Sequence, residues 1–128
     1  MADGTLDPMT VQGLHELGQL SVDGADRIRH LVQTYIDDAR TRLRGLADAV
    51  AANDAAEVRS LAHSLAGSSA SLGAHVVATR SREIEALARS GDLHDARAAV
   101  EGLQAALSDA IVALRLEFGL GEVDDHSR

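Results

Sequence analysis

Apolar residues in this chain recur every three or four positions, turn after turn, and nowhere alternate with a period of two. That pattern commits the chain to helices, because one side of a helix returns every ~3.6 residues and one face of a strand every second residue. The longest such stripe begins after Asp23-Gly24 and runs through Ile28, Leu31, Val32, Tyr35, Ile36, Ala39, Leu43, Leu46, Ala47 and Val50. Asp37, Asp38, Arg40, Arg42 and Arg44 fall largely on its other faces. The stripe breaks at Ala51-Ala52-Asn53-Asp54, where Asn53 suits a left-handed C-terminal position and Asp54 an N-cap.

A second helix is predicted over about Ala55 to Leu72, ended by Gly73, and a third over about His75 to Ser90, ended by Gly91. The stripe of the third is Val77, Ile84, Leu87 and Ala88, with Arg80 falling inside it as a side chain that snorkels at the bundle edge. Asp92 caps a fourth helix with the stripe Ala96, Val100, Leu103, Leu107, Ile111 and Leu114. A short helix over Thr10–Leu17 (Val11, Leu14, Leu17) precedes them all and covers one end. Connections this short make consecutive helices antiparallel neighbours. The expected fold is therefore all-α, an up-down-up-down four-helix bundle with a short N-terminal capping helix. Residues 1–118 form the domain and 119–128 a frayed, polar, flexible C-terminal tail.

Composition narrows the chemistry. The chain has no lysine, so all 12 basic residues are arginines, and it has no cysteine. These absences exclude a Walker-type phosphate loop, a Schiff-base lysine, a thiolate nucleophile and a zinc-thiolate site. A net charge of −8 and 2% aromatic residues oppose nucleic-acid binding, which uses cations on phosphates and rings on bases. No apolar run approaches the roughly 18 residues of a membrane span, and Met1–Met9 lacks the basic and apolar regions of a signal peptide. A cytoplasmic location is the expectation. No two of the six histidines stand three or four positions apart, so no helical metal pair exists; Asp26 and His30 form at most a surface contact. Gly67-Ser68-Ser69-Ala70-Ser71 departs from a nucleophile elbow at its last position.

One helix breaks the burial rule. Stepping ~100° per residue through Ala55–Leu72 puts Val58, Leu61, Leu65 and Leu72 on the core face, flanked by Ala62 and Ser69. His63 falls nearly opposite. Around it stand Arg59 one turn back, Ala66 and Gly67 one turn on, and Ala70 beyond. A glycine inside a helix costs about 1 kcal/mol relative to alanine, and burial asks for none on an outward face. A histidine among such small side chains is sterically open, as if another surface must come close.

The string Ala62-His63-Ser64-Leu65-Ala66-Gly67-Ser68-Ser69-Ala70-Ser71-Leu72-Gly73-Ala74 resembles the phosphoacceptor helix of histidine-containing phosphotransfer (HPt) domains, A-H-x-L-K-G-[SA]-[SA]-x-x-L-G-A. Leu14-His15-Glu16-Leu17-Gly18 resembles the family's leading helix, Leu31–Val50 its long second helix, and Ile84-Glu85-Ala86-Leu87-Ala88-Arg89 the helix packed beside the phosphoacceptor. The likeness spans roughly residues 6–116. It implies that His63 accepts a phosphoryl group from a receiver-domain aspartate or from a sensor (hybrid) histidine kinase, and passes it to another response-regulator receiver domain. It also implies a phosphoryl carrier rather than an enzyme, with no cofactor, nucleotide site or metal of its own, since the receiver supplies Mg²⁺. Ala66, Gly67, Ala70 and Glu85 are then expected on the docking surface, and a monomer suffices. One departure matters: the family places lysine where this chain has Ala66. Either an arginine stabilises the phosphoryl group in its stead, with Arg59 and Arg89 the candidates, or the phosphohistidine is less well stabilised. The alternative is a degenerate helical adaptor that binds a partner without phosphorylation.

Overall fold

The computed structural model describes residues 4–121, and among them the regular structure is entirely helical. Five helices follow in order: α1 (Pro8–Gly18), α2 (Gly24–Ala51), α3 (Ala55–Ser71), α4 (His75–Arg89) and α5 (Leu93–Phe118). The links 52–54, 72–74 and 90–92 each span three residues, and each carries one left-handed residue: Asn53 (φ 62°), Gly73 (φ 83°) and Gly91 (φ 85°). The stop signals and the left-handed turns therefore coincide. Asp54 and Asp92 cap α3 and α5, their carboxylates accepting from the amides of Glu57 (3.1 Å) and Asp95 (3.0 Å). Such caps are worth about 1 kcal/mol each. Helix α5 ends in a left-handed Gly119; residues 122–128 of the expected tail lie outside the described residues.

The helix contacts close a ring, with α2 against α3, α3 against α4, α4 against α5 and α5 back against α2. The core inside it is built from Val32, Ile36, Leu46, Val58, Leu65, Ile84, Leu103, Leu107 and Leu114, all sealed from solvent. Each such aliphatic side chain contributes about 1.5–3 kcal/mol by leaving water. Polar atoms enter this interior in few places. The Tyr35 hydroxyl on α2 meets the Ser69 hydroxyl on α3 at 2.6 Å, and burial pushes the phenol above its ordinary pKa, with the hydrogen bond opposing.

Three positions differ from the sequence pattern. The α4 stripe runs through Ser81, buried and with its hydroxyl unpartnered among the described residues, rather than through Arg80. Arg80 is exposed and pairs with Glu83, because a ~100° step places it at the flank of the stripe and not its centre. Leu17 of α1 is 56% exposed and lies outside the core; α1 joins the core through Val11 and Leu14. Asp26 pairs with Arg29 and not with His30.

Helix α1 is fixed at both ends. The Asp7 amide donates to the Gly73 carbonyl (2.7 Å), and the Asp7 carboxylate accepts from the Thr10 hydroxyl (2.6 Å), which holds it below the usual carboxylate range. At the other end His15 meets Glu117 (2.8 Å) and stacks on Phe118 with ring centroids 4.6 Å apart. Gly73 therefore serves two demands: its φ is positive, and a Cβ there would lie 3.2 Å from the Thr10 side chain. The glycine that closes the α3 motif also seats α1.

Candidate functional site

Helix α3 is oriented by its buried side. Val58, Ala62, Leu65 and Ser69 are fully covered, and Leu72 nearly so. With that face committed, helical geometry sends His63 to the outside, where its side chain is 77% exposed. Gly67 and Ala70 are exposed on the same side, and a Cβ built at Gly67 meets nothing within 4 Å. The open face read from the sequence is present at these positions.

Ala66 is not part of it. The residue is only 4% exposed. Its direction lies between the core face and His63, toward α4, and α3 and α4 form the most extensive helix pair. Both helices bury small side chains, Ala62 and Ala66 on α3 and Ala78 and Ser81 on α4, and small residues let two helices pack closely.

Glu85 borders the imidazole from α4. Predicted on the docking surface, its side chain is 15% exposed and engaged from two directions. His63 Nδ1 lies 3.1 Å from Glu85 Oε2, and Arg89 Nη2 donates to the same oxygen at 3.1 Å. Arg89 stands one turn after Glu85 on α4, so the pair is held by helix spacing. A carboxylate offers only lone pairs, so the neutral imidazole in this contact carries its hydrogen on Nδ1 and leaves the lone pair on Nε2. The cost of placing Glu85 in the seam is offset by the Arg89 guanidinium beside it. The sequence contained the signal for this contact: two helices joined by three residues, with an outward histidine on one and a glutamate on the next.

Arg59 is exposed one turn before His63, and a shallow depression gathers Arg59, Ser60, His63, Ser64, Glu85 and Arg89. Both arginines singled out in the sequence thus border the imidazole. A wider groove lies elsewhere, between α1 and the C-terminal part of α5, and shares no residue with this depression. Among the described residues no group of three or more acidic or histidine side chains is arranged to hold a metal ion. None of the described helices is long and apolar enough to cross a membrane.

An Hpt domain model matches residues 30–115, a span that includes the whole of α3, the His63 motif and α4. The chain belongs to the Hpt family. The Hpt domain is also similar to the crystal structure of histidine-containing phosphotransfer protein B (HptB) from Pseudomonas aeruginosa PAO1, with a TM-score of 0.83 and 29% sequence identity. That similarity covers 93% of this chain and 98% of the HptB chain. No curated protein sequence matches the chain.

Proposed function

We propose that this Hpt domain is a phosphorelay carrier whose His63 takes a phosphoryl group from a receiver-domain aspartate or a kinase and hands it to another receiver domain. The observation that carries the reading is the pairing of Glu85 with His63 Nδ1 on an otherwise exposed ring. It leaves Nε2 as the nucleophilic nitrogen, without a protein partner among the described residues. In the forward step the Nε2 lone pair forms a bond to phosphorus in line with the aspartyl oxygen. The P–O bond breaks, and its electrons leave with the receiver's carboxylate. The ring then carries positive charge, and Glu85 faces the Nδ1 proton that bears it. Onward transfer reverses these events on a second receiver.

The carrier needs no nucleotide site or metal of its own in this reading, because the receiver brings Mg²⁺ and the aspartate. The exposed, side-chain-poor surface at Gly67 and Ala70 is where a receiver comes close. We read the four long helices as an up-down-up-down bundle capped by α1, since each consecutive pair packs together across a three-residue link. Residues 1–118 are the domain, and a single copy working in the cytoplasm is sufficient for the chemistry. The adaptor alternative draws on Ala66 standing where the family has lysine. The His63–Glu85 contact favours the phosphorylated reading, because an adaptor has no use for a held tautomer.

The test is transfer from a phosphorylated receiver to the purified chain and to His63→Gln. Label on the wild type and none on the folded variant is expected. Equal labelling of the two proteins would rule the assignment out.

A further inference from the structure

A phosphoryl group on an exposed imidazole carries up to two negative charges, and a guanidinium is the side chain whose planar fork best meets its oxygens. Among the described residues two cations border the depression around His63, Arg59 and Arg89. They are not equivalent. Arg89 is committed: its Nη2 donates to Glu85 Oε2 at 3.1 Å, the oxygen that also faces His63 Nδ1. Moving Arg89 to a phosphoryl group would strip the counter-charge from a carboxylate that is only 15% exposed. Ala66 is covered in the α3–α4 seam and carries no charge.

Arg59 has none of these commitments. It is exposed and forms no ion pair among the described residues. It stands four positions before His63, where side chains on one helix face are neighbours. Long side chains on a helix lean toward its N-terminus, so the imidazole projects over the turn that bears Arg59 and Ser60. The depression lies on that side, while toward the C-terminal end of α3 the same face carries the exposed Gly67 and Ala70.

Building on the phosphotransfer reading, we infer that Arg59 is the residue that contacts the phosphoryl group on His63, while Arg89 serves Glu85. The two sides of the histidine then have separate tasks, a cation toward the start of α3 and a bare landing surface toward its end.

The experiment uses phosphoramidate to phosphorylate the purified chain without any partner: the P–N bond to ammonia breaks, one forms to Nε2, and ammonia leaves with the imidazole proton. Wild type, Arg59→Ala, Arg59→Lys and Arg89→Ala are then titrated by ³¹P NMR, with circular dichroism to verify the fold. A nearby cation disfavours protonation of the phosphohistidine, so Arg59→Ala should shift its protonation equilibrium about three- to fivefold toward the protonated form. Arg59→Lys should recover most of this, and Arg89→Ala should shift it less than Arg59→Ala. A wild-type titration in Arg59→Ala, or the larger shift in Arg89→Ala, would overturn the inference and leave the phosphotransfer reading intact. Failure of wild-type His63 to take label would overturn both.

Discussion

Gly67 lies inside α3, is exposed, and has open space where a Cβ would stand. A helix-interior glycine costs about 0.8–1.0 kcal/mol relative to alanine, and nothing in the packing offsets it here. Gly67→Ala should therefore stabilise the isolated chain by about that amount, and Gly67→Gln by slightly less because glutamine follows alanine in helix propensity. For a domain of this size the gain corresponds to a rise in Tm of about 3–5 °C. The same substitutions fill the surface one turn beyond His63. Transfer from a phosphorylated receiver should be slowed modestly in Gly67→Ala and severely in Gly67→Gln. Thermal unfolding by circular dichroism and a time course of label transfer read the two quantities separately. The combination, a more stable protein that transfers worse, is the signature of a glycine kept for approach. Unchanged transfer kinetics in Gly67→Gln would mean that no partner comes close at this face. A loss of stability in Gly67→Ala would mean that the residue serves the fold.

Three further substitutions test the packing. Gly73→Ala should cost about 2 kcal/mol or more in denaturant unfolding, since a left-handed φ of 83° is penalised for alanine and its methyl would press on Thr10 at 3.2 Å; a loss below about 0.5 kcal/mol would contradict this. Tyr35→Phe should cost about 1 kcal/mol at neutral pH by leaving the buried Ser69 hydroxyl without its partner. Because burial raises the Tyr35 pKa, the folded state holds its proton where the unfolded chain has begun to lose it. The resulting stability is full below about pH 10 and is lost as pH rises through the folded value. Wild type should thus lose stability above pH 10 more steeply than Tyr35→Phe, and parallel profiles would exclude the effect. In Glu85→Ala, ¹⁵N NMR of the His63 ring should show the Nδ1–H tautomer losing its dominance; an unchanged ratio would mean that Glu85 does not set it.

The sequence was most informative where a single physical demand acts on a single residue. Asn53, Asp54, Gly73, Gly91 and Asp92 each do at a helix end what their backbone chemistry suits them for, and all five were assigned from local pattern. His63 was legible because it stands opposite a leucine-rich face. What escaped the pattern depends on distances between helices. The 4% exposure of Ala66 follows from how closely α3 and α4 approach, and a wheel drawn on one helix contains no such quantity. The Tyr35–Ser69 hydrogen bond joins residues 34 positions apart. Glu85 lay among the expected site residues, but its task at His63 became visible only once α4 was packed beside α3. Ser81 rather than Arg80 lies in the α4 stripe because a stripe read at steps of three or four leaves its edges ambiguous by one residue.

The central claim is that His63 carries a phosphoryl group on Nε2, and ¹⁵N–³¹P correlation NMR of the phosphorylated chain tests it most directly. The account predicts one acid-labile phosphoramidate signal that couples to the His63 Nε2 nitrogen and disappears in His63→Gln. A signal on Nδ1, on another histidine, or an acid-stable phosphate ester in its place would contradict it.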